Sequence, residues 1–383
     1  MGSKLLFVVT EDWYFVSHRL ALGAAAVHLG YEVVVATRVR NHGEAILNAG
    51  IRLIPFELSR RSGNPFKEIL NLLRLYRSES PQIIHHVALK PVIYGSIAAW
   101  LAGSSAMVNA ISGLGWMFTS RKRIVRMLQP LIRWIMAKVL NQEASITIIQ
   151  NTQDRELLCH AGVDAKHIRL IPGAGVDINV YHPVPEQPGI PCVMLVGRML
   201  WDKGVGEFVE AARMLFDQGV RARFVLVGDI DSANPAAIPE SVLLDWHGRW
   251  GVDYWGRRED MPKVWQSAHI ACLPSYREGM PKSLLEAAAC GLPIVTTDAP
   301  GCREVIADGQ EGLLVQPNDA RSLARAIKCL IEKPELRRTM GAKARKRAET
   351  VFCQERVIAA TLKIYEELLA SKFVHEENTG HRR

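Results

Sequence analysis

A chain of 383 residues, 48% of them hydrophobic, exceeds what one hydrophobic core usually supports, so two domains are expected. Its seven cysteines stand singly at 159, 192, 272, 290, 302, 329 and 353, which argues against a disulfide framework or a zinc site and suits a reducing cytoplasm. The net charge of +8 belongs to the first half: residues 1–185 hold 20 Lys or Arg against 12 Asp or Glu, whereas residues 186–383 hold 27 of each.

In chain order, apolar strand-like runs alternate with helical patterns in the βα rhythm of doubly wound sheets. The first half has them at 5–9, 32–36, 51–55, 82–86, 106–110 and 145–149, and the second at 192–196, 223–227, 253–255, 270–273, 293–296 and 312–315. The Pro- and Gly-containing stretch 181–191 reads as the linker, giving domains at 1–185 and 186–352. Residues 4–10 are too short an apolar run for a signal peptide, and no run approaches the roughly 20 apolar residues that span a bilayer.

Residues 116–140 hold six basic residues (Arg121, Lys122, Arg123, Arg126, Arg133, Lys138) and no acid. On a helical projection Lys122, Arg126, Gln129 and Arg133 form one stripe against an apolar remainder, with Trp116, Phe118 and Trp134 as interfacial aromatics. The segment reads either as a monotopic contact with the inner face of a membrane or as a core helix with a solvated basic face. Pro130 would kink such a helix or start a new one. The sequence contains no recognised nucleic-acid motif, so the basic pI near 9.2 does not make nucleic acid a partner.

The apolar run 193–196 feeds Gly197-Arg198-Met199-Leu200-Trp201-Asp202-Lys203-Gly204 and then an amphipathic helix at about 205–218. Arg198 and Lys203 therefore leave the carboxyl end of a parallel strand, where open α/β sheets bind ligands. Further on, Glu278 closes the loop after the run 270–273, and Glu286 lies about one turn inside a helix that Pro281 opens and Cys290-Gly291 closes. A helix start attracts phosphate, and Gly279 lets the backbone approach closely. A diphosphate on the amides near Lys282 to Leu284 would leave Glu278 to accept from sugar hydroxyls and Glu286 from a ribose. The alternative is a solvated loop acid and a surface helix acid.

The Gly-Arg…Lys-Gly and Glu-x7-Glu elements together resemble the retaining glycosyltransferase family 4. The stretches Ile171-Pro172-Gly173-Ala174-Gly175-Val176-Asp177, Val252-Asp253-Tyr254-Trp255-Gly256-Arg257-Arg258 and Gly291-Leu292-Pro293-Ile294-Val295 with Gly301-Cys302-Arg303-Glu304 carry the same likeness, over roughly 4–369. It implies the GT-B fold, two Rossmann-like doubly wound α/β domains facing each other across a cleft. A helix at 353–371 would cross back to the first domain, leaving a disordered tail at 372–383. It further implies a catalytic set of Arg198, Lys203 and Glu278, with donor contacts from Gly197, Arg257, Gly279, Met280, Pro281, Lys282, Ser283, Leu284 and Glu286. The family generally uses neither metal nor cofactor, so Asp229-Ile230-Asp231, which mimics the Asp-x-Asp metal motif of the other main transferase fold, is expected to be a structural turn.

Departures narrow the likeness. Thr10 to Arg19 replaces the usual Gly-Gly loop, and Ser112 stands where many members have a histidine. His18-Arg19, the stretch Ile84-His85-His86-Val87-Ala88-Leu89-Lys90-Pro91 and Ser112-Gly113-Leu114-Gly115 look like bacterial transferases acting on polyprenyl-diphosphate sugars, nearest the PglA-type N-acetylgalactosaminyltransferases. This implies acceptor contacts from His18, Arg19, Lys90 and Ser112, although one of His85 and His86 is open to being a core histidine and Arg19 to capping a helix face. The expected activity is retaining α-transfer of an N-acetylhexosamine from a UDP-sugar to a lipid-linked saccharide, by a cytoplasmic protein docked on the inner membrane. A nucleotide-sugar 2-epimerase, or a transferase with a soluble acceptor, is the alternative.

Overall fold

The computed structural model describes residues 2–59, 63–103, 106–114 and 123–380, without the side chains of 123–126, 128 and 372–380. The chain divides into two compact units, one of Met1–Ala174 with Val357–Arg383 and one of Gly175–Arg356.

In the first unit β1 (Lys4–Glu11), β2 (Glu32–Arg38), β3 (Arg52–Pro55), β4 (Ile83–Val87), β5 (Ala106–Ala110), β6 (Ser145–Ile149) and β7 (Ile168–Leu170) form a parallel sheet in the order β3-β2-β1-β4-β5-β6-β7. In the second, β8 (Cys192–Val196), β9 (Arg223–Val227), β10 (Val252–Gly256), β11 (Ile270–Leu273), β12 (Ile294–Thr297) and β13 (Gly312–Val315) follow the order β10-β9-β8-β11-β12-β13. The central strands are mostly apolar because helices cover both faces of the sheet, with His85, His86 and Asn109 as buried polar exceptions in β4 and β5. Twelve of the thirteen strands coincide with the runs expected from the sequence; β7 does not, since it is three residues long, has Arg169 at its centre and lies at a sheet edge beside β6. Strand order reverses between β1 and β4 and between β8 and β11, so each unit has a crevice at the carboxyl ends of those strands.

Residues 175–181 are stitched to the second unit. The Val176 and Gln354 amides exchange bonds with Phe352 O (2.8 Å) and Val176 O (3.0 Å), and the Arg345 guanidinium donates to Ile178 O (3.2 Å), Tyr181 O (2.8 Å) and Ala289 O (2.7 Å). The division therefore falls ahead of the Pro-containing stretch.

The last helix, Gln354–Gly380, starts in the second unit and becomes part of the first, where Val357, Leu362, Ile364, Tyr365 and Leu368 bury against Leu5, Phe7 and Val9 of β1. His85 and His86 are both in the core. His85 stacks on Phe7 and bonds the Tyr365 hydroxyl, and His86 lies between Tyr76 (2.9 Å) and Asn109 (2.7 Å). Burial pushes the His86 imidazole down to about 4, so it is neutral and its ring nitrogens divide into one donor and one acceptor.

The helix Arg123–Leu140 runs through Pro130 without ending there. It buries Met136, Val139 and Leu140, while Met127, Leu131 and Trp134 are exposed. Among the described residues no helix is long and apolar enough to cross a membrane.

Candidate active site

The chain leaves β8 at Gly197, makes a tight 3-10 turn over Trp201–Lys203, and enters the helix Val205–Asp217 through Gly204. Gly204 sits at φ +72°, and a Cβ there would stand 2.1 Å from Pro274 O, so only glycine lets this turn lie against the loop that follows β11. Ser275 Oγ and the Tyr276 amide both donate to Asp202 O (3.1 and 2.9 Å), and the Tyr276 hydroxyl donates to Glu207 Oε1 (2.7 Å). On the far side the Glu278 amide donates to Pro300 O (2.9 Å), tying in the loop after β12. Three loops thus behave as one rigid edge at the second unit's switch point.

This scaffold pairs Lys203 with Glu278, one from each of the first two loops, at side-chain exposures of 17% and 11%. Two charges so poorly hydrated hold a fixed geometry better than surface ions do. Arg198 Nη1 lies 2.7 Å from Asp231 Oδ2, and Arg257 lies 3.6 Å from Asp229. Both members of the Asp-x-Asp sequence are therefore occupied by arginines. Among the described residues no group of three or more His, Cys, Asp or Glu could hold a metal ion.

Glu286 is buried in the helix Lys282–Ala289 rather than displayed on its surface. Trp265 Nε1 donates to it (3.3 Å), the Tyr181 hydroxyl donates as well, and Lys282 Nζ lies 3.6 Å away. Burial raises its carboxyl above the ordinary value, with Lys282, Trp265 and Tyr181 offsetting part of that cost. Pro281 supplies no side-chain cap to the helix start and the first turn contains no acid, which keeps the positive end of the dipole uncompensated. The Leu284 amide, one of the expected phosphate donors, already bonds Pro281 O (3.0 Å). Gly279, Met280, Pro281, Lys282 and Ser283 line the path from Glu278 to Glu286. Carboxylates able to accept from hydroxyls, beside cations and a helix start, are chemically suited to an anionic, polyhydroxylated ligand.

In the first unit Lys90 and Ser112 lie just past the carboxyl ends of β4 and β5, whereas His18 and Arg19 stand at the far end of the seven-residue helix Asp12–His18 that follows β1. His18 stacks on Tyr14 at 4.2 Å. Arg19 is 5% exposed and its Nε has no hydrogen-bond partner among the described residues, while its charge acts on His85 and Tyr365. Lys90 is committed elsewhere, with its ammonium 2.6 Å from both Ser59 O and Glu68 Oε2. Its helix, Leu89–Ala102, starts from Ala88 at φ +78°, ψ 161°, a conformation that costs an alanine roughly 1–3 kcal/mol. Ser112 is half-buried. Of the basic segment, Trp116, Phe118, Arg121 and Lys122 and the side chains of Arg123 and Arg126 lie outside the described residues; Arg133 and Trp134 are exposed.

Sequence reasoning did not anticipate Asp231 and Asp229 as counter-ions, Glu207 as the anchor of Tyr276, or Trp265 and Tyr181 as donors to Glu286. A tryptophan inside the short helix Met261–Gln266 was the one visible signal, since a buried indole N–H seeks an acceptor.

Two family models match the chain: "Glycosyl transferase 4-like" over residues 4–151 and "Glycosyl transferases group 1" over residues 190–333. An N,N'-diacetylbacillosaminyl-diphospho-undecaprenol alpha-1,3-N-acetylgalactosaminyltransferase of Campylobacter jejuni is 29% identical, with 93% of this chain and 98% of the relative aligned. A UDP-Gal:alpha-D-GlcNAc-diphosphoundecaprenol alpha-1,3-galactosyltransferase of Escherichia coli is 26% identical over 68% of this chain and 69% of its own. Among solved structures, sucrose-phosphate synthase from Thermosynechococcus elongatus superposes with a TM-score of 0.79 at 20% identity, covering 96% of this chain and 100% of that one.

Proposed function

Since this chain belongs to the group 1, family 4-like glycosyltransferases and has their GT-B fold, we propose that it moves an N-acetylhexosamine from a UDP-sugar, with retention and in α linkage, onto a polyprenyl-diphosphate-linked saccharide in bacterial glycan assembly. The observation that carries this reading is the locked edge that brings Arg198, Lys203, Glu278 and the start of the helix Lys282–Ala289 to one switch point. In this reading the diphosphate lies on Arg198, Lys203 and the helix start, with Gly197 and Gly279 admitting it to the backbone. Glu278 accepts from the transferred sugar, Glu286 from the ribose, and Arg257 faces the nucleotide.

As the donor's glycosidic bond loosens, negative charge grows on the diphosphate, and fixed cations stabilise it more than they stabilise the ground state. The acceptor hydroxyl enters on the same face, and the departing phosphate takes its proton. No separate base is needed, which agrees with a serine at position 112. No metal is needed either, because Arg198 and Lys203 supply the cations. Arg19, buried and without a carboxylate partner among the described residues, is suited to the acceptor's diphosphate, whereas Lys90 acts through Glu68 on the loop around Ser59. The helix Arg123–Leu140, exposing Met127, Leu131 and Trp134 beside Arg133, docks the protein on the cytoplasmic face of the membrane.

The test is release of UDP from UDP-N-acetylhexosamines with and without an undecaprenyl-diphosphate-linked saccharide. Rapid release only with the lipid-linked acceptor is the expected result. Equal rates without it, or conversion of the sugar at C2, would replace transfer by hydrolysis or epimerisation.

A further inference from the structure

Both carboxylates of the Asp-x-Asp loop are engaged by arginines. Asp231 is 16% exposed in its side chain and lies 2.7 Å from Arg198, the cation nearest the start of the donor loop. Its position does not depend on that arginine. The loop after β9 is sewn to the loop after β8 by Met199 N to Asp229 O (2.9 Å), Trp201 N to Ala236 O (2.8 Å) and Ile238 N to Met199 O (3.0 Å). Asn234 N closes a turn on Asp231 O (2.7 Å), and Leu200 bridges to Ala237. Backbone bonds therefore hold the loop that carries the carboxylate in place without using the Arg198 side chain.

We propose that Asp231 is a built-in stand-in for the donor's phosphate: it holds Arg198 in the empty site, competes with the incoming diphosphate, and takes Arg198 back when the nucleoside diphosphate leaves. This rests on the donor reading above. An arginine can serve both partners in turn because carboxylate and phosphate present the same paired acceptor oxygens to its planar fork. The exchange swaps one anion for another without leaving a partly buried cation bare, which keeps product from being trapped. Asp229 does the same for Arg257 more weakly, at 3.6 Å with both side chains more than half exposed.

The experiment is calorimetric titration of the full-length protein with UDP and with uridine, for the parent, Asp231→Asn, Asp231→Ser, Asp231→Glu and Arg198→Ala. Removing the competing charge should tighten UDP binding about fivefold in Asp231→Asn and Asp231→Ser, the yield of a half-buried ion pair. Product inhibition by UDP should strengthen by the same factor. Asp231→Glu keeps the charge and stays near the parent, and uridine, having no phosphate, binds all Asp231 variants alike. Unchanged or weaker UDP binding in both neutral variants overturns the proposal, as does an equal shift in uridine. If Arg198→Ala weakens UDP binding while the Asp231 variants do not tighten it, the stand-in role alone fails. If Arg198→Ala leaves UDP binding unchanged, the donor reading fails and this proposal with it.

Discussion

Replacing Gly204 by alanine puts a methyl carbon 2.1 Å from Pro274 O and 2.8 Å from Pro274 Cγ, at a φ of +72°. Relieving the overlap takes about 1 Å of separation between the loops after β8 and β11. The left-handed backbone adds about 1 kcal/mol for a residue with a Cβ. Lys203 rides on one loop and Glu278 on the other, so a 1 Å parting displaces the proposed catalytic pair and should lower turnover by about a hundredfold. Strain of about 1–2 kcal/mol should lower the melting temperature by roughly 2–8 °C. Gly219→Ala separates the two effects, because Gly219 has φ +74° with nothing within 4 Å of its added Cβ. It should share the thermal loss and keep its turnover. Steady-state transfer and thermal melts of both variants decide the matter: Gly204→Ala with turnover within about threefold of the parent would show that the loops are not locked.

Arg198→Ala and Lys203→Ala should each cut turnover by about a hundredfold or more, measured by UDP release with acceptor present. Glu278→Gln should chiefly slow transfer, whereas Glu286→Gln should weaken UDP and donor alike; a large loss of UDP affinity in Glu278→Gln alone would reverse those roles. Because burial raises the Glu286 carboxyl above 4.5, its contribution to stability is present at low pH and lost as pH rises through the folded-state value. Melts of Glu286→Gln should therefore lose less stability than the parent between about pH 4.5 and neutrality, and parallel curves would contradict the raised value. EDTA should leave turnover intact, and its abolition with recovery on magnesium or manganese would refute the metal-free reading. Changing Arg121, Lys122, Arg123 and Arg126 together to Ser should release the protein from anionic liposomes in flotation without affecting donor hydrolysis, since each basic residue near such a surface contributes about 1 kcal/mol. Equal flotation would leave the segment a core helix.

Both sheets were legible because strands buried on two faces are mostly apolar, and short runs such as 192–196 recur in a βα rhythm. β7 was not, because a short edge strand needs apolarity on one face only, and Arg169 breaks the run. The cations and glutamates of the donor loops were visible from their place after strands β8 and β11. Their partners were not. Nothing in the spacing of Lys203 and Glu278 announces an ion pair 75 residues apart in sequence, since that pairing depends on β8 and β11 being neighbours. The burial of Glu286 was hidden for the same reason, because Trp265 and Tyr181 reach it from distant positions.

The helix Gln354–Gly380 makes the first unit discontinuous in the chain, and this orders its synthesis. When Ala174 leaves the ribosome, β1 and His85 still lack Tyr365, which arrives 191 residues later by the difference in numbering. The second unit, contiguous from Gly175 to Arg356, can finish before the first. A messenger cut short anywhere before codon 357 thus yields a complete second unit at most and a first unit with Phe7 and His85 uncovered. The last helix thus closes the core of the first unit only after the second unit has been made.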